Sequence, residues 1–252
     1  MSFAVAAASY DRFMGRYAVP LAPAFADLAG VSAGQRVLDV GCGPGALTTE
    51  LVGRLGAHAV AAVDPSEPFV EAARERNPGV SVQQASAESL PFEDDSFDDA
   101  LAQLVVHFMS DPVAGLREMA RVTRDGGVVA ACVWDLAGGR APISPYWTAA
   151  HEIDPEVMDE SRLAGAREGH LTELFEEAGL REVEETALEV SAEHPTFEDW
   201  WEPFTLGVGP AGAHWATLDE EQQAEVRELA REHLPEPPFT LTVCAWGARG
   251  VV

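Results

Sequence analysis

Val37-Leu38-Asp39-Val40-Gly41-Cys42-Gly43-Pro44-Gly45-Ala46-Leu47-Thr48 decides the fold. A short run of strand-forming residues enters three glycines at alternate positions, and the pattern then turns helical. Strand, glycine turn and helix in that order let a ligand approach the backbone where no Cβ stands in the way. The next apolar run ends at Asp64, whose carboxylate can accept hydrogen bonds from both hydroxyls of a ribose. Asp39 adds a sign: a negative side chain two residues before the first glycine opposes a pyrophosphate and suits a cationic ligand. Its bland role is to fix the glycine loop by accepting from the loop amides.

Working outward, short apolar runs alternate with helical segments, the signature of βαβ units and a parallel sheet. The pattern predicts strands over 36–40, 59–63, 80–84, 98–103 and 127–134, with helices over 46–55, 67–76 and 112–122. Asp111 before Pro112 reads as an N-cap with proline at the first helical position. Asp125-Gly126-Gly127 supplies the turn into the fifth strand. Beyond Trp134 the alternation stops. A helix over 172–178 closes at Gly179, strands follow over 180–190 and 239–246, and an acidic helix spans 218–233. The chain divides into an N-terminal helical cover (1–35), a cofactor-binding core (36–134), cap or substrate-side insertions (135–170 and 195–236) and the last strand (237–252), all in one domain (1–252).

Composition excludes several functions. The 252 residues carry 16 basic and 42 acidic side chains, a net charge of −26, and every basic residue is arginine. Without lysine there is no Schiff-base chemistry and no P-loop lysine. The charge opposes nucleic acid and anionic membrane surfaces as partners and reads as a solubilising surface, with adaptation to high salt as the alternative. Cys42, Cys132 and Cys244 are far apart and the histidines are scattered, so neither a disulfide framework nor a metal site is expected. No targeting segment and no long apolar stretch stands out, which points to a cytoplasmic protein without membrane insertion.

Four motifs carry a resemblance: Val37 to Gly45, then Ala62-Val63-Asp64-Pro65-Ser66, then Ala87-Glu88-Ser89-Leu90-Pro91-Phe92 with Ser96-Phe97-Asp98, then Arg121 to Gly127. In this order and spacing they resemble the class I S-adenosylmethionine-dependent methyltransferases, in the ubiquinone/menaquinone-biosynthesis-like (methyltransferase type 11) small-molecule branch, over about Tyr10 to Trp134. The resemblance implies an α/β, Rossmann-like, seven-stranded and mostly parallel sheet with helices on both faces, the last strand antiparallel and small helical caps inserted. S-adenosylmethionine is the implied cofactor and a small molecule the methyl acceptor. Gly41, Gly43 and Gly45, with Cys42 among them, would hold its methionine and ribose portion, Asp39 its cationic end and Asp64 the ribose. Pro65 and Ser66 would flank the adenine. Ser86 stands where the family often has an aspartate against the adenine amino group, which shifts that contact to the Ala87 backbone or Glu88. Asp125 stands where proline is common, a change confined to the turn.

Methyl transfer from a sulfonium is an in-line displacement, so alignment and exclusion of water come first and a general base is needed only for some acceptors. Ligands of such folds sit at the carboxyl ends of the strands, which brings in Gln103 for the cofactor and His107 as candidate base; a packed, satisfied histidine is the alternative. Ser9 to Tyr17 resembles a segment that folds over the cofactor in related methyltransferases. Arg16 would pair with the methionine carboxylate and Tyr10 would face the sulfonium or the acceptor, unless the segment only docks Phe13 and Tyr17 on the sheet. Trp147, Trp200, Trp201, Phe204 and Trp215 either line an acceptor pocket or form the core of a cap. A nicotinamide-dependent oxidoreductase, which the spacing Gly41-x-Gly43-x-x-Ala46 permits, and a non-catalytic cofactor-binding module are the competing functions. The chain is expected to be a monomer or homodimer.

Overall fold

The structure, a computed structural model, describes residues 10–207 and 209–252. A π-helical turn (Asp11–Gly15) leads into helix α1 (Arg16–Ala29). The chain then winds through β1 (Val37–Val40), α2 (Ala46–Leu55), β2 (Val60–Asp64), α3 (Glu67–Arg76), β3 (Ser81–Gln84), β4 (Phe97–Gln103), α4 (Pro112–Val122) and β5 (Thr123–Trp134). An insertion carrying α5 (Ser144–Ile153) precedes α6 (His170–Ala178) and β6 (Arg181–His194). A second insertion carries α7 (Phe197–Trp201), α8 (Gly209–Trp215) and α9 (Glu220–Glu232) before β7 (Phe239–Val251). The seven strands form one sheet in the order β3-β2-β1-β4-β5-β7-β6. All pairs are parallel except those of β7, the last strand, which runs antiparallel to β5 and β6.

Strand alternation builds the layers. Val37 and Leu101 face the apolar cluster under α1, α2 and α3, whereas Leu38, Val40 and Ala100 face the cluster under α4 and α6. The period of two therefore turns Asp39 toward α2, where the Thr48 hydroxyl meets it. Helices α2, α3 and α4 cover the residues the periodicity predicts. Asp111 caps α4 by accepting from the Ala114 N–H at 2.9 Å, with Pro112 in the first position.

The fifth strand departs from expectation. It begins at Thr123 because Phe97 already pairs with Thr123, and the register shifts before Asp99 meets Val128. Asp125-Gly126-Gly127 is thus a bulge inside the strand, not a turn ahead of it. Strands β6 and β7 also outrun their predicted ends, pairing from Arg181 with Val251 to His194 with Phe239. Much of β6 is exposed, and its glutamates mask the alternation that marks a strand.

The two insertions fold together into a cap with its own aromatic core. Trp147, Trp200, Trp201 and Phe204 are buried, Tyr146 stacks on Phe204 at 5.0 Å, and Trp215 meets Trp201 edge-on at 5.1 Å. Packing is the role of this tryptophan set. The N-terminal segment is tied to both sides: Arg12 pairs with Glu202 and Arg16 with Asp199 in the cap, while Asp11 pairs with Arg76 at the end of α3. The Arg12 pair is more than half exposed on both sides and contributes at most about 1 kcal/mol. No helix among the described residues is long and apolar enough to cross a membrane.

Candidate active site

Three cavities meet at the carboxyl ends of β1, β2 and β4. The turn after β1 shapes the first. The Gly41 and Cys42 N–H groups donate to the Val63 carbonyl at 2.8 and 2.9 Å, which pins the turn to β2. Gly41 has φ +70°, and a Cβ there would lie 2.5 Å from a Val105 methyl, so only glycine fits. At Gly43 nothing stands within 4 Å of the position a Cβ would take. The backbone there is open to a ligand.

Asp39 is 1% exposed. The Thr48 hydroxyl donates to its Oδ2 at 2.6 Å, and its Oδ1 has no partner among the described residues. Gln103 is in the same condition: its amide donates to the Ala18 carbonyl at 3.0 Å, and its Oε1 is buried with no partner among the described residues. Both side chains line one cavity with Gly41, Cys42 and Gly43, and its only charged walls among the described residues are Asp11 and Asp39. Two orphaned acceptors in an anionic cavity call for a cationic donor, which an ammonium provides and a pyrophosphate does not. Burial pushes the Asp39 carboxyl up to about 7, against the Thr48 hydrogen bond and with the nearby Asp64 charge.

Asp64 ends β2. Its Oδ2 accepts from the Gly43 N–H and its Oδ1 from the Ser66 N–H, both at 2.8 Å. An ionised carboxylate offers about four acceptor directions, so one on each oxygen remains for a vicinal diol. Burial raises its pKa, and those two N–H groups oppose the rise. The second cavity runs from Asp64 past Pro65, Phe69, Val105 and Phe108. Its apolar walls suit a flat base beside a ribose.

The third cavity lies between the N-terminal segment, the residues after β4 and the cap. Phe13, Phe108 and Trp134 give it aromatic walls, and Tyr10, His107 and Glu160 are its titratable groups. His107 is buried and its Nδ1 has no partner among the described residues; burial alone pushes its pKa down to about 3. Glu160 is buried, accepts from the Trp147 indole N–H at 3.0 Å, and is pushed up to about 7, chiefly by burial. Tyr10 and Leu104 line all three cavities. Tyr10 leans on Phe69 at 5.3 Å and has its hydroxyl pKa raised by burial and by the charges of Asp64 and Asp11. Leu104 holds φ +63°, a strained conformation for a side chain branched at Cγ, with its N–H fixed to the Cys132 carbonyl at 2.9 Å.

The predicted residues divide accordingly. Asp39, Gly41, Cys42, Gly43, Asp64, Pro65, Gln103, Tyr10 and His107 line these cavities. Gly45 lies behind the turn, where a Cβ would strike the Asn77 amide at 2.6 Å. Ser66 serves through its N–H to Asp64. The Arg16 guanidinium donates to Asp199 at 2.5 Å and meets His194 Nδ1 at 2.9 Å, and it lines a separate cavity beside Trp200 and Phe204. Ser86, Ala87 and Glu88 are not among the residues lining the cavity beside Asp64. The Ser86 hydroxyl donates to Glu88, whose other oxygen accepts from the Ser110 N–H at 2.8 Å. Leu104, Phe69 and Glu160 have no place among the predicted residues; Glu160 sits in an acid-rich loop without periodicity, so no local signal marks it.

A family model described as a methyltransferase domain matches residues 38–131, the stretch that supplies most of the lining of the first two cavities. An uncharacterised protein of Mycobacterium tuberculosis is 31% identical over 229 residues, covering 86% of this chain and 82% of its own. The demethylmenaquinone methyltransferase of Mycobacterium sp. (strain KMS) is 41% identical over 117 residues, 46% of this chain and 49% of its own length. The crystal structure of the YcgJ protein from Bacillus subtilis superposes with a TM-score of 0.58 at 21% identity, over 92% of this chain and 97% of that one, a likeness of fold.

Proposed function

The chain belongs to the S-adenosylmethionine-dependent methyltransferases, and from that premise we propose that it methylates a small apolar, ring-bearing molecule received in the third cavity. S-adenosylmethionine supplies an activated methyl group on a sulfonium, and S-adenosylhomocysteine remains after transfer. In this reading Asp39 and Gln103 receive the α-ammonium, the open backbone at Gly43 lies against the methionine and ribose, Asp64 accepts from the ribose hydroxyls, and Pro65 and Phe69 flank the adenine. Tyr10 and His107 orient the acceptor, while the aromatic walls exclude water.

The observation that carries this reading is the shared wall: Tyr10 and Leu104 bound the acceptor cavity and both cofactor cavities. A relative named for demethylmenaquinone supports a ring-bearing acceptor. A monomer is supported by the scarcity of large exposed apolar side chains, Val19, Met158 and Leu206 among the described residues. Three buried, unpaired cysteines accord with a cytoplasmic setting.

Calorimetry with S-adenosylmethionine and with NAD, followed by an acceptor screen scored by S-adenosylhomocysteine, tests the reading. Binding of NAD alone would sink it. His107→Ala lowers turnover about tenfold, the loss of one hydrogen bond, and leaves the cofactor Kd within about twofold. Equal turnover in the two proteins removes His107 from acceptor binding.

Cofactor binding is also pH-dependent. Asp39 titrates in the ligand-free fold at about 7, above the ordinary carboxylate range, and a cation pulls it into its ionised form. Affinity therefore rises with pH toward about 7, by at most about tenfold per pH unit, and levels off above, with a proton released on binding. The same group removes stability from the ligand-free fold as pH climbs from the ordinary carboxylate range through about 7. Titrations in buffers of different ionisation enthalpy read the released proton, and Asp39→Asn flattens the slope.

A further inference from the structure

Among the described residues Glu160 is the only charged side chain on the third cavity, and it comes from the first insertion, outside the family match at 38–131. Its surroundings hold it in place. Among the described residues the Trp147 indole is the one side-chain donor to it, and it takes Oε2, which leaves Oε1 without a side-chain donor on a residue that lines the cavity. The other titratable groups nearby are Tyr10 from the N-terminal segment and His107 after β4, which share the cavity, and Asp159 next in the chain, which is engaged by His151 at 3.0 Å. His214 of α8 packs against Trp147 and is bonded to the Tyr146 hydroxyl at 2.7 Å, so it takes no part.

We propose that Glu160 is the proton acceptor of the reaction and that the methyl acceptor is a neutral hydroxyl on an aromatic ring, a phenol. This rests on the methyltransferase reading and names the substrate class of the same site. An acceptor already anionic is repelled by a buried carboxylate. An aliphatic amine in the same place is held as an ammonium, which has no lone pair to offer, and a neutral aromatic amine needs no proton acceptor before it attacks. A neutral hydroxyl donates to Oε1 in a charge-assisted hydrogen bond and keeps a lone pair for the methyl carbon. Phe13, Phe108 and Trp134 supply the faces on which a ring packs.

The step balances as follows. The acceptor O–H bond breaks and its proton passes to a Glu160 carboxylate oxygen; the oxygen's electron pair forms the new O–CH3 bond. The S–CH3 bond breaks with its pair remaining on sulfur, so the sulfonium becomes the thioether of S-adenosylhomocysteine. Glu160 then releases the proton to water, one per turnover. A base is most effective with its pKa near the working pH, which Glu160 at about 7 meets and His107 at about 3 does not.

Phenol is the probe, titrated calorimetrically into protein saturated with S-adenosylhomocysteine. In the wild type its Kd falls about tenfold between about pH 5.5 and about pH 8.5, because Glu160 ionises while a phenol, with a pKa near 10, stays neutral. Glu160→Gln retains a carbonyl oxygen for Trp147 and a side chain of the same shape, and binds phenol with a Kd independent of pH over that range. Transfer from S-adenosylmethionine falls at least about 100-fold on phenol in the variant but persists on thiophenol, whose thiol ionises without help. Equal rates on phenol in the two proteins, a wild-type Kd that ignores pH, or no phenol binding in the saturated protein overturns the proposal. Failure of S-adenosylhomocysteine itself to bind is a different result and overturns the methyltransferase reading beneath it.

Discussion

Asp64→Ala weakens S-adenosylmethionine binding by at least about 100-fold. Each hydrogen bond from a ribose hydroxyl to a carboxylate contributes roughly 1.5–3 kcal/mol, and the substitution removes two. It also strips the Gly43 and Ser66 N–H groups of their acceptor, so the loop that approaches the ligand keeps only its bonds to the Val63 carbonyl as a tie to β2. The effect falls on the cofactor and not on the fold: the ionised carboxylate is held in the ligand-free protein against the cost of burial, which raises its pKa. Calorimetry measures the lost affinity, and the thermal shift that cofactor gives the wild type vanishes. A variant that binds within about tenfold of the wild type removes Asp64 from the ribose site.

Gly127→Ala costs about 3 kcal/mol or more and lowers Tm by roughly 6–12 °C in a chain of this size. Its Cβ would lie 2.2 Å from the Asp98 carbonyl oxygen and 2.6 Å from the Thr123 side chain. Neither neighbour is free to retreat. Asp98 is bonded through its N–H to the Arg36 carbonyl, and the Gly127 carbonyl accepts from the Val252 N–H at 3.0 Å. Gly126→Ala is the control, since nothing stands within 4 Å of its Cβ and its φ of +76° is the only penalty. That penalty is about 1–2 kcal/mol. Thermal denaturation of the two variants separates the clash from the dihedral. Equal Tm values for the pair would mean that the bulge shifts to admit a methyl group.

The core was legible because its signals are local. A strand of four buried residues, a glycine turn and a capped helix each declare themselves within a dozen positions, and the periodicity of α2, α3 and α4 is undisturbed. The residues proposed to hold the cofactor lie at the ends of those strands, a placement that follows from the topology. The partners of Arg16, Asp199 and His194, come from the second insertion and β6, a contact that no spacing near Arg16 encodes. The bond from the Ser110 N–H to Glu88 is equally illegible, since its donor lies beyond β4. Glu160 becomes distinctive only when the cap closes over Trp147 and removes it from water.

In the proposed reading, Tyr10 and Leu104 couple the two halves of the reaction, because both side chains wall the acceptor cavity and the two cofactor cavities. Whatever factor the cofactor then works on the acceptor's affinity through them, the acceptor works on the cofactor's in equal measure.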